Sequence, residues 1–330
     1  MNHDTRTSAT TGRIESLDQL RGYTIFGMIL VNFLGNFRSM PELFRHHRES
    51  YSYADTIAPL FLFIVGMGFR LSFQRRVAKE GITAARWASA KRYSILILIG
   101  VVVYNPFEWR DWWDALVDIG FSGLLALPFI DKSARVRLAA AWGYLLLYQA
   151  LFTWSPYGAN QMTGNGFIDG GPLGPLSWVF NLLLGTLAYD WIESGMGAAL
   201  LKRALAWGLA LSLLGVAFHL EWPGIKSAWP FSQRYMTMPY TLLSTGLAFF
   251  AFASFHWLCD IKRGRLPHLT VLGMNPLVIY IFHMLLMGAQ RDWIERGAPA
   301  WKALGLFACF YLICYAVAWR LHRDKAIIKI

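Results

Sequence analysis

Two adjacent histidines, His46 and His47, lie in a basic polar segment that leads to Asp55. Histidine titrates near neutral pH, so its neutral ring can take a proton from a nucleophile or can itself attack an activated carbonyl carbon. Asp55 can orient such a ring. The plainer interpretation is that the histidines are interfacial residues and that Asp55 only caps the helix that it opens. No further ligands follow at the spacing that a metal requires, so we expect no metal site.

Amide and imidazole side chains also interrupt two apolar stretches. Asn32 lies near the end of the first stretch, about 21 Å along a helix from Asp18, and its amide can donate to an oxyanion. Asn275 and His283 recur at multiples of four residues with Ile279, so a continuous helix places them on one face. Both kinds of side chain have a structural alternative, because an intramembrane Asn can bond a neighbouring helix and a His can be satisfied in the core.

Ionisable side chains at membrane depth are costly and are therefore candidates for function. Asp18 and Arg21 are three residues apart at the start of the first apolar stretch, so they can pair on one helix face. Arg70 lies inside the second stretch. A guanidinium binds phosphate through two parallel hydrogen bonds, so Arg21 and Arg70 can contact an anionic cofactor. The alternative is that Asp18 and Arg21 only anchor the end of the helix.

The composition is that of a membrane protein. Apolar residues make up 55% of the 330-residue chain and charged residues only 15%, whereas soluble domains average about 25% charged. The chain also contains 15 Trp and 14 Tyr, which concentrate at membrane interfaces. The net charge of +11 lies in short segments between apolar stretches, which is typical of membrane topology, and we expect no nucleic-acid partner. The three cysteines indicate neither a disulfide framework nor a metal site.

Ten stretches are candidates for membrane helices, each of which needs roughly 20 mostly apolar residues. We therefore expect an all-α polytopic integral membrane protein of the cell membrane, with about ten transmembrane helices in contact with the lipid bilayer. A single domain would cover residues 1–330. The third and fourth stretches are the weakest candidates. The ten stretches lie near 17–37, 55–73, 89–104, 113–130, 134–152, 173–190, 198–220, 236–257, 268–287 and 301–320.

Lys and Arg predict the orientation, because basic loops stay in the cytoplasm. If both termini are cytoplasmic, about 21 of the 31 basic residues fall inside. The polar segment 1–16 and the basic tail 321–330 are then cytoplasmic, and the Gly- and Pro-rich stretch 155–175 is a mobile outer loop. Candidate acid and base groups collect outside and cations inside. The outer set is Asn32, His46, Asp55 and His283; the inner set includes Arg21 and Arg70.

Four pieces of the sequence, taken in order, resemble the heparan-α-glucosaminide N-acetyltransferase family, part of a wider superfamily of transmembrane acyltransferases. The middle of the chain is similar only in hydropathy. Family members usually follow the histidine with Ala, then Trp and Gly before the Asp, whereas this chain has His47-Arg48-Glu49-Ser50. The choice between His46 and His47 therefore stays open. The four pieces are RIESLDQLRG at 13–22, MILVNF at 28–33, His46 with the segment 55–66, and the segment 272–283.

The resemblance implies an enzyme that moves an acetyl group from cytoplasmic acetyl-CoA to an extracytoplasmic acceptor, a glycan or another small molecule with an amine or hydroxyl. Direct transfer and an acyl-enzyme both stay open, as does a homodimer. The competing hypotheses are a small-solute transporter, which more often has inverted repeats, and a non-enzymatic membrane scaffold. The implied catalytic residues are His46, Asn32, Asp55 and His283; the implied contacts of acetyl-CoA are Arg21, Arg70, Asp18 and Asn275.

Overall fold

The computed structural model describes residues 14–104, 106–163, 167–195, 197–221, 229–290 and 295–328. Most of the polar segment 1–16 and the end of the basic tail 321–330 lie outside these residues. The described residues form helices joined by turns, without a strand, as the sequence predicts. The α-helices are α1 (Glu15–Leu34), α2 (Ala54–Glu80), α3 (Ile82–Tyr104), α4 (Ala115–Ala126), α5 (Ala134–Trp154), α6 (Pro156–Met162), α7 (Pro175–Glu193), α8 (Ala198–His219), α9 (Met238–Phe255), α10 (Pro267–Met274), α11 (Pro276–Gln290) and α12 (Ala300–Arg323).

Local chemistry explains where many of these helices begin. Proline opens α6, α7, α10 and α11, because its fixed φ suits the first helical position and its missing N–H has no helical partner there. The residue that precedes α1 provides no side-chain cap. Instead, Asp260, in a π-helical turn that continues α9, accepts hydrogen bonds from the backbone N–H and the hydroxyl of Ser16, at 3.2 and 2.6 Å. A distant carboxylate therefore satisfies the start of α1.

Polar side chains collect at opposite ends of the helix bundle. The end of α1 and the start of α2 meet at what we call the histidine end, which is defined by Asn32, His46, Asp55 and His283. The start of α1 and the end of α2 meet at the arginine end, which is defined by Arg21, Arg70 and Arg137. Arg21 packs over α2 here, since a β-carbon at Gly68 would lie 2.6 Å from its guanidinium.

Close glycine contacts hold the central helices together. A β-carbon at Gly66 of α2 would lie 1.9 Å from the backbone oxygen of Leu182, and one at Gly185 of α7 would lie 1.9 Å from that of Phe63. The two glycines therefore let α2 and α7 approach each other backbone to backbone. Small residues permit the same close approach between membrane helices in general. Since α2 carries Asp55 and Arg70, this packing positions side chains at both ends of the bundle.

Within the described residues, five helices are both long and apolar enough to cross a membrane, and the bent pair α10–α11 would be a sixth. This is fewer than the ten that we expected. The helices α1, α5 and α7 have 20, 21 and 19 residues, but polar side chains such as Asp18, Arg137 and Asn181 reduce their apolar character. With 12 residues, α4 is too short. The five are α2, α3, α8, α9 with its π-helical turn, and α12.

The expected continuous helix over 268–287 is wrong, because α10 and α11 meet at an angle of 84°. The break lies at Asn275, whose φ and ψ are −128° and 57°. Pro276 follows it and lacks the N–H that would continue the hydrogen-bond ladder. Asn275 therefore leaves the face of α11 that carries Ile279 and His283.

The contact between α2 and α7 predicts a large effect of a single methyl group. We expect Gly185→Ala to destabilise the protein by about 1–3 kcal/mol, because the new carbon meets the backbone oxygen of Phe63, which cannot turn away. Thermal unfolding in detergent measures this loss. Gly143→Ala in α5 is the control, since nothing lies within 4 Å of its β-carbon position. Equal unfolding temperatures for the two variants would contradict the close approach.

Candidate active site

A histidine and a buried carboxylate form the centre of the histidine end. Asp55 lies in the first turn of α2, and its side chain is fully buried. Its Oδ1 atom lies 2.8 Å from Nδ1 of His46. Its Oδ2 atom accepts hydrogen bonds from the backbone N–H and the hydroxyl of Ser52, at 2.9 and 3.0 Å. Because the carboxylate is fixed by Ser52, it can orient the imidazole as well as support the start of α2.

The charge of the site favours a protonated His46. Burial of the ring lowers its pKa, but the hydrogen bond from His46 to Asp55 and the negative charges of Asp55 and Asp169 outweigh burial and raise the pKa of His46 above its ordinary value. The side chain remains 47% exposed. A ring that is both accessible and paired with a carboxylate can exchange a proton with a small molecule.

The two neighbouring histidines have different partners. His47 Nε2 lies 3.2 Å from the backbone oxygen of Glu42 and 3.9 Å from its carboxylate. Glu42 also pairs with Arg45. The structure therefore pairs His46 with the buried Asp55 and His47 with the exposed Glu42.

A second pair of predicted residues meets between α1 and α11. Nδ2 of Asn32 lies 3.2 Å from Nε2 of the fully buried His283, whose Nδ1 lies 3.3 Å from the backbone oxygen of Ile279. The carbonyl can only accept, so Nδ1 of His283 carries the hydrogen and Nε2 accepts from Asn32. The other N–H of Asn32 faces the sulfur of Met284 at 3.9 Å. A thioether is a weak acceptor, so this N–H can turn to a stronger one.

Tyr280 lies beside His283, and two acids that act on its hydroxyl also act on His46. Its ring centroid lies 5.2 Å from that of His283, and its hydroxyl lies 2.9 Å from that of Tyr104. The carboxylates of Asp114 and Asp169 lie close enough to act on the Tyr280 hydroxyl electrostatically. The four catalytic candidates therefore belong to one polar region, although they come from α1, α2, α11 and the segment before α2.

Four further polar residues of this region, three acids and an amide, were not identified from the sequence. In the sequence, Asp114 and Asp118 at the start of α4 form only an amphipathic pattern. Nothing local indicates that Asp114 acts on His46 or that Asp118 acts on Asp169. Asp169 lies in the stretch 155–175, which we expected to be a loop. Gln233 precedes α9 and donates from Nε2 to Oδ1 of Asp169 at 3.1 Å. Burial and the charge of Asp114 raise the pKa of Asp169 to about 7.

The stretch 155–175 is structured in its described part, which corrects the loop prediction. It contains α6 and a short 3-10 turn at Gly171–Leu173. The indole N–H of Trp178 donates to the backbone oxygen of Asp169 at 3.1 Å, and the N–H of Gly170 donates to the backbone oxygen of Arg234 at 2.9 Å. These bonds hold Asp169 against the residues that precede α9.

At the arginine end, each predicted cation has an acidic partner. Arg21 pairs with Asp18 at 3.1 Å, as the spacing predicts. Arg70 pairs with Asp190 of α7 at 2.9 Å and donates to the backbone oxygen of Ile130. Arg137, which the sequence did not single out, is almost fully buried and binds the other oxygen of Asp190. Arg70 thus shares a carboxylate with Arg137 and links α2, α5 and α7.

Asn275 binds the end of the chain. Its Nδ2 donates to the backbone oxygen of Ala326 at 2.9 Å, and its Oδ1 accepts from the N–H of Ile328 at 3.0 Å. The side chain therefore holds the segment after α12 at the break between α10 and α11. The described residues contain no group of three His, Cys, Asp or Glu side chains that could hold a metal.

The sequence is similar to a known family and to a bacterial protein. Residues 13–216, more than half of the chain, match the family described as heparan-alpha-glucosaminide N-acetyltransferase, catalytic. His46, Asp55 and Asp169 lie inside this match, whereas Gln233 and His283 lie beyond it. An uncharacterized 39.9 kDa protein in the amylase 3' region of Bacillus acidopullulyticus is 32% identical over 148 residues. The similar region spans 42% of this chain and 40% of that relative. The extent of the family match shows that the chain belongs to the heparan-alpha-glucosaminide N-acetyltransferase catalytic family.

Proposed function

We propose that this protein transfers an acetyl group from cytoplasmic acetyl-CoA, bound at the arginine end, to an acceptor at the histidine end on the other side of the membrane. The family implies acetyltransferase activity. The observation that carries the proposal is the hydrogen bond between His46 and the buried Asp55, at the same end of the bundle as the Asn32–His283 pair. An acceptor with an amine or hydroxyl, such as a glucosaminide, fits this chemistry.

The histidine end contains the groups that acetyl transfer requires. Asp55 occupies Nδ1 of His46, so the lone pair of Nε2 can take the proton of the acceptor. The acceptor then attacks the thioester carbon, and the N–H of Asn32 that faces Met284 can turn to stabilise the oxyanion that forms. As the C–S bond breaks, the CoA sulfur receives the proton from the imidazolium. His46 can instead attack the thioester itself, in which case the acceptor resolves an acetyl-imidazole.

The arginine end offers a suitable place for the anionic head of acetyl-CoA. Arg21 lies 25% exposed beside α2, and the exposed cations Arg75, Arg76 and Lys79 follow at the end of that helix. Arg70 contributes mainly through its pair with Asp190, which positions α2. We propose cytoplasmic termini and this end facing the cytoplasm, because the basic segments concentrate here. The thioester arm would then run along α1 toward Asn32.

The two histidines provide a matched test of the mechanism. We expect His46→Ala to lower turnover by about 10²–10⁴-fold, the usual effect of losing a general base. Its affinity for acetyl-CoA should stay unchanged, because the imidazole contacts the reacting group. Transfer of radiolabelled acetyl from acetyl-CoA to a glucosaminide measures turnover. His47→Ala, which removes the neighbouring ring, should keep nearly full activity. An active His46→Ala variant with an inactive His47→Ala variant would show that His47, and not His46, does the chemistry.

The Asp55 carboxylate predicts the pH dependence of transfer. Because its hydrogen bond and charge raise the pKa of His46, the neutral base is lost as the pH falls through that raised value. Asp55→Asn removes the charge, so the acidic limb of the rate profile should move to lower pH, and maximal turnover should fall by at least about tenfold. Glu42→Gln, which removes a carboxylate that faces His47, is the control. An acidic limb that stays in place in Asp55→Asn would refute this role.

A further inference from the structure

A second carboxylate, that of Asp169, acts on His46 electrostatically. Its partner Gln233 follows Ser232, whose hydroxyl donates to the backbone oxygen of Arg48, so the segment before α9 packs against the segment that carries His46. Asp169 lies in the segment before α7, more than 120 residues along the chain from His46. Both it and Gln233 are more than nine-tenths buried. The negative charge of Asp169 stabilises the protonated form of His46, as does the amide of Gln233. Two acids therefore act on His46, Asp55 through a hydrogen bond and Asp169 through its charge.

The amide of Gln233 is oriented by Asp169. Its Nε2 atom donates to Oδ1 of Asp169 at 3.1 Å, which leaves Oε1 as the atom that faces away from the acid. In the described part of the chain, this oxygen accepts no hydrogen bond. The amide of Gln233 favours the protonated form of His46, as the charge of Asp169 does. A buried amide oxygen without a donor is stabilised by a positive charge that forms near it.

The backbone keeps Asp169 in place at a cost. Its φ is 52°, in the left-handed region that few residues other than glycine adopt. Such a conformation costs on the order of 1 kcal/mol and persists only where the surroundings enforce it. The indole of Trp178 and the backbone of Arg234 provide this restraint through hydrogen bonds to Asp169 and Gly170. The strained backbone therefore brings one buried acid to the histidine end.

We propose that Asp169, together with the amide of Gln233 that it orients, is a positioning residue of the acetyl transfer: it stabilises the imidazolium that forms when His46 takes the proton of the acceptor. The inference rests on the proposed function for its role in catalysis. Its structural basis, the effect of Asp169 on the ring of His46, does not require that any acetyl group be transferred. Asp55 thus acts on the ring through a hydrogen bond, and Asp169 acts on it through its charge.

The ionisation of Asp169 matches this role. Burial and repulsion from Asp114 raise its pKa to about 7, whereas the charge of His46 and the hydrogen bond from Gln233 lower it. The anion is thus favoured when His46 carries its positive charge. Several other groups face the acid or its segment and contribute to the same balance. They are Asp55, Asp114, Asp118, Tyr240, Tyr280 and, over the ring of Phe167, Arg110.

The test follows the protonation of His46 directly. The protein is labelled with ¹³C-histidine in nanodiscs, and the His46 resonance is assigned by its loss in His46→Gln. We expect Asp169→Asn to move the titration midpoint of His46 to lower pH and to reduce turnover at pH 7 by about tenfold, with acetyl-CoA affinity unchanged. Asn is among the residues that tolerate a positive φ, so this variant should keep the backbone. Gln233→Met should shift the midpoint in the same direction.

The control is Glu49→Gln, which removes an exposed carboxylate from the segment that carries His46. It should leave the midpoint of His46 in place. A midpoint in Asp169→Asn or in Gln233→Met equal to that of the control would overturn the proposal. So would a turnover loss in Asp169→Asn that is matched by an equal loss of acetyl-CoA affinity. The titration is measured without donor or acceptor, so a failure of acetyl transfer itself would leave this result readable.

Discussion

The hydrogen bond between His46 and the buried carboxylate of Asp55 is the interaction on which the rest of the site depends. It assigns the hydrogen to Nδ1 and leaves Nε2 to exchange a proton. This hydrogen bond requires α2 to begin where the segment that carries His46 ends. Ser52 holds the end of that segment against the start of α2 through its hydrogen bonds to Asp55. The close approach of α2 and α7 through Gly66 and Gly185 then sets the position of that helix in the bundle.

The same helix carries charge to the opposite end, where a different constraint applies. A cation within a helix bundle needs a partner, and Arg70 and Arg137 both bind Asp190. This ion pair joins α2, α5 and α7 and leaves the exposed cations beyond it for an anionic ligand. One helix therefore links the proposed site of proton transfer with a basic surface. That arrangement suits an enzyme whose donor and acceptor lie on opposite sides of a membrane.

What the sequence could predict depended on distance along the chain. The pairing of Asp18 with Arg21 follows from helical spacing, and the proximity of His46 to Asp55 follows from a short segment before a helix. Asp190, the partner of Arg70 in α7, is more than 100 residues away along the chain, and so are Asp169 and Gln233, which act on His46. No local pattern indicates them. Pro276 was visible as a helix breaker, yet the apolar run around it favoured a continuous helix. Polar residues needed for packing also reduced the number of clearly apolar spans.

The central claim is that the histidine end and the arginine end face opposite sides of the membrane, and cysteine labelling tests it most directly. Cys259, Cys309 and Cys314 are replaced by Ser. One new cysteine is then introduced at an exposed position, Glu49→Cys at the histidine end or Lys79→Cys at the arginine end. In intact cells, a membrane-impermeant maleimide should label the Glu49→Cys protein. It should label the Lys79→Cys protein only after permeabilisation. Labelling of the Lys79→Cys protein in intact cells, or protection of Glu49→Cys until permeabilisation, would contradict the account.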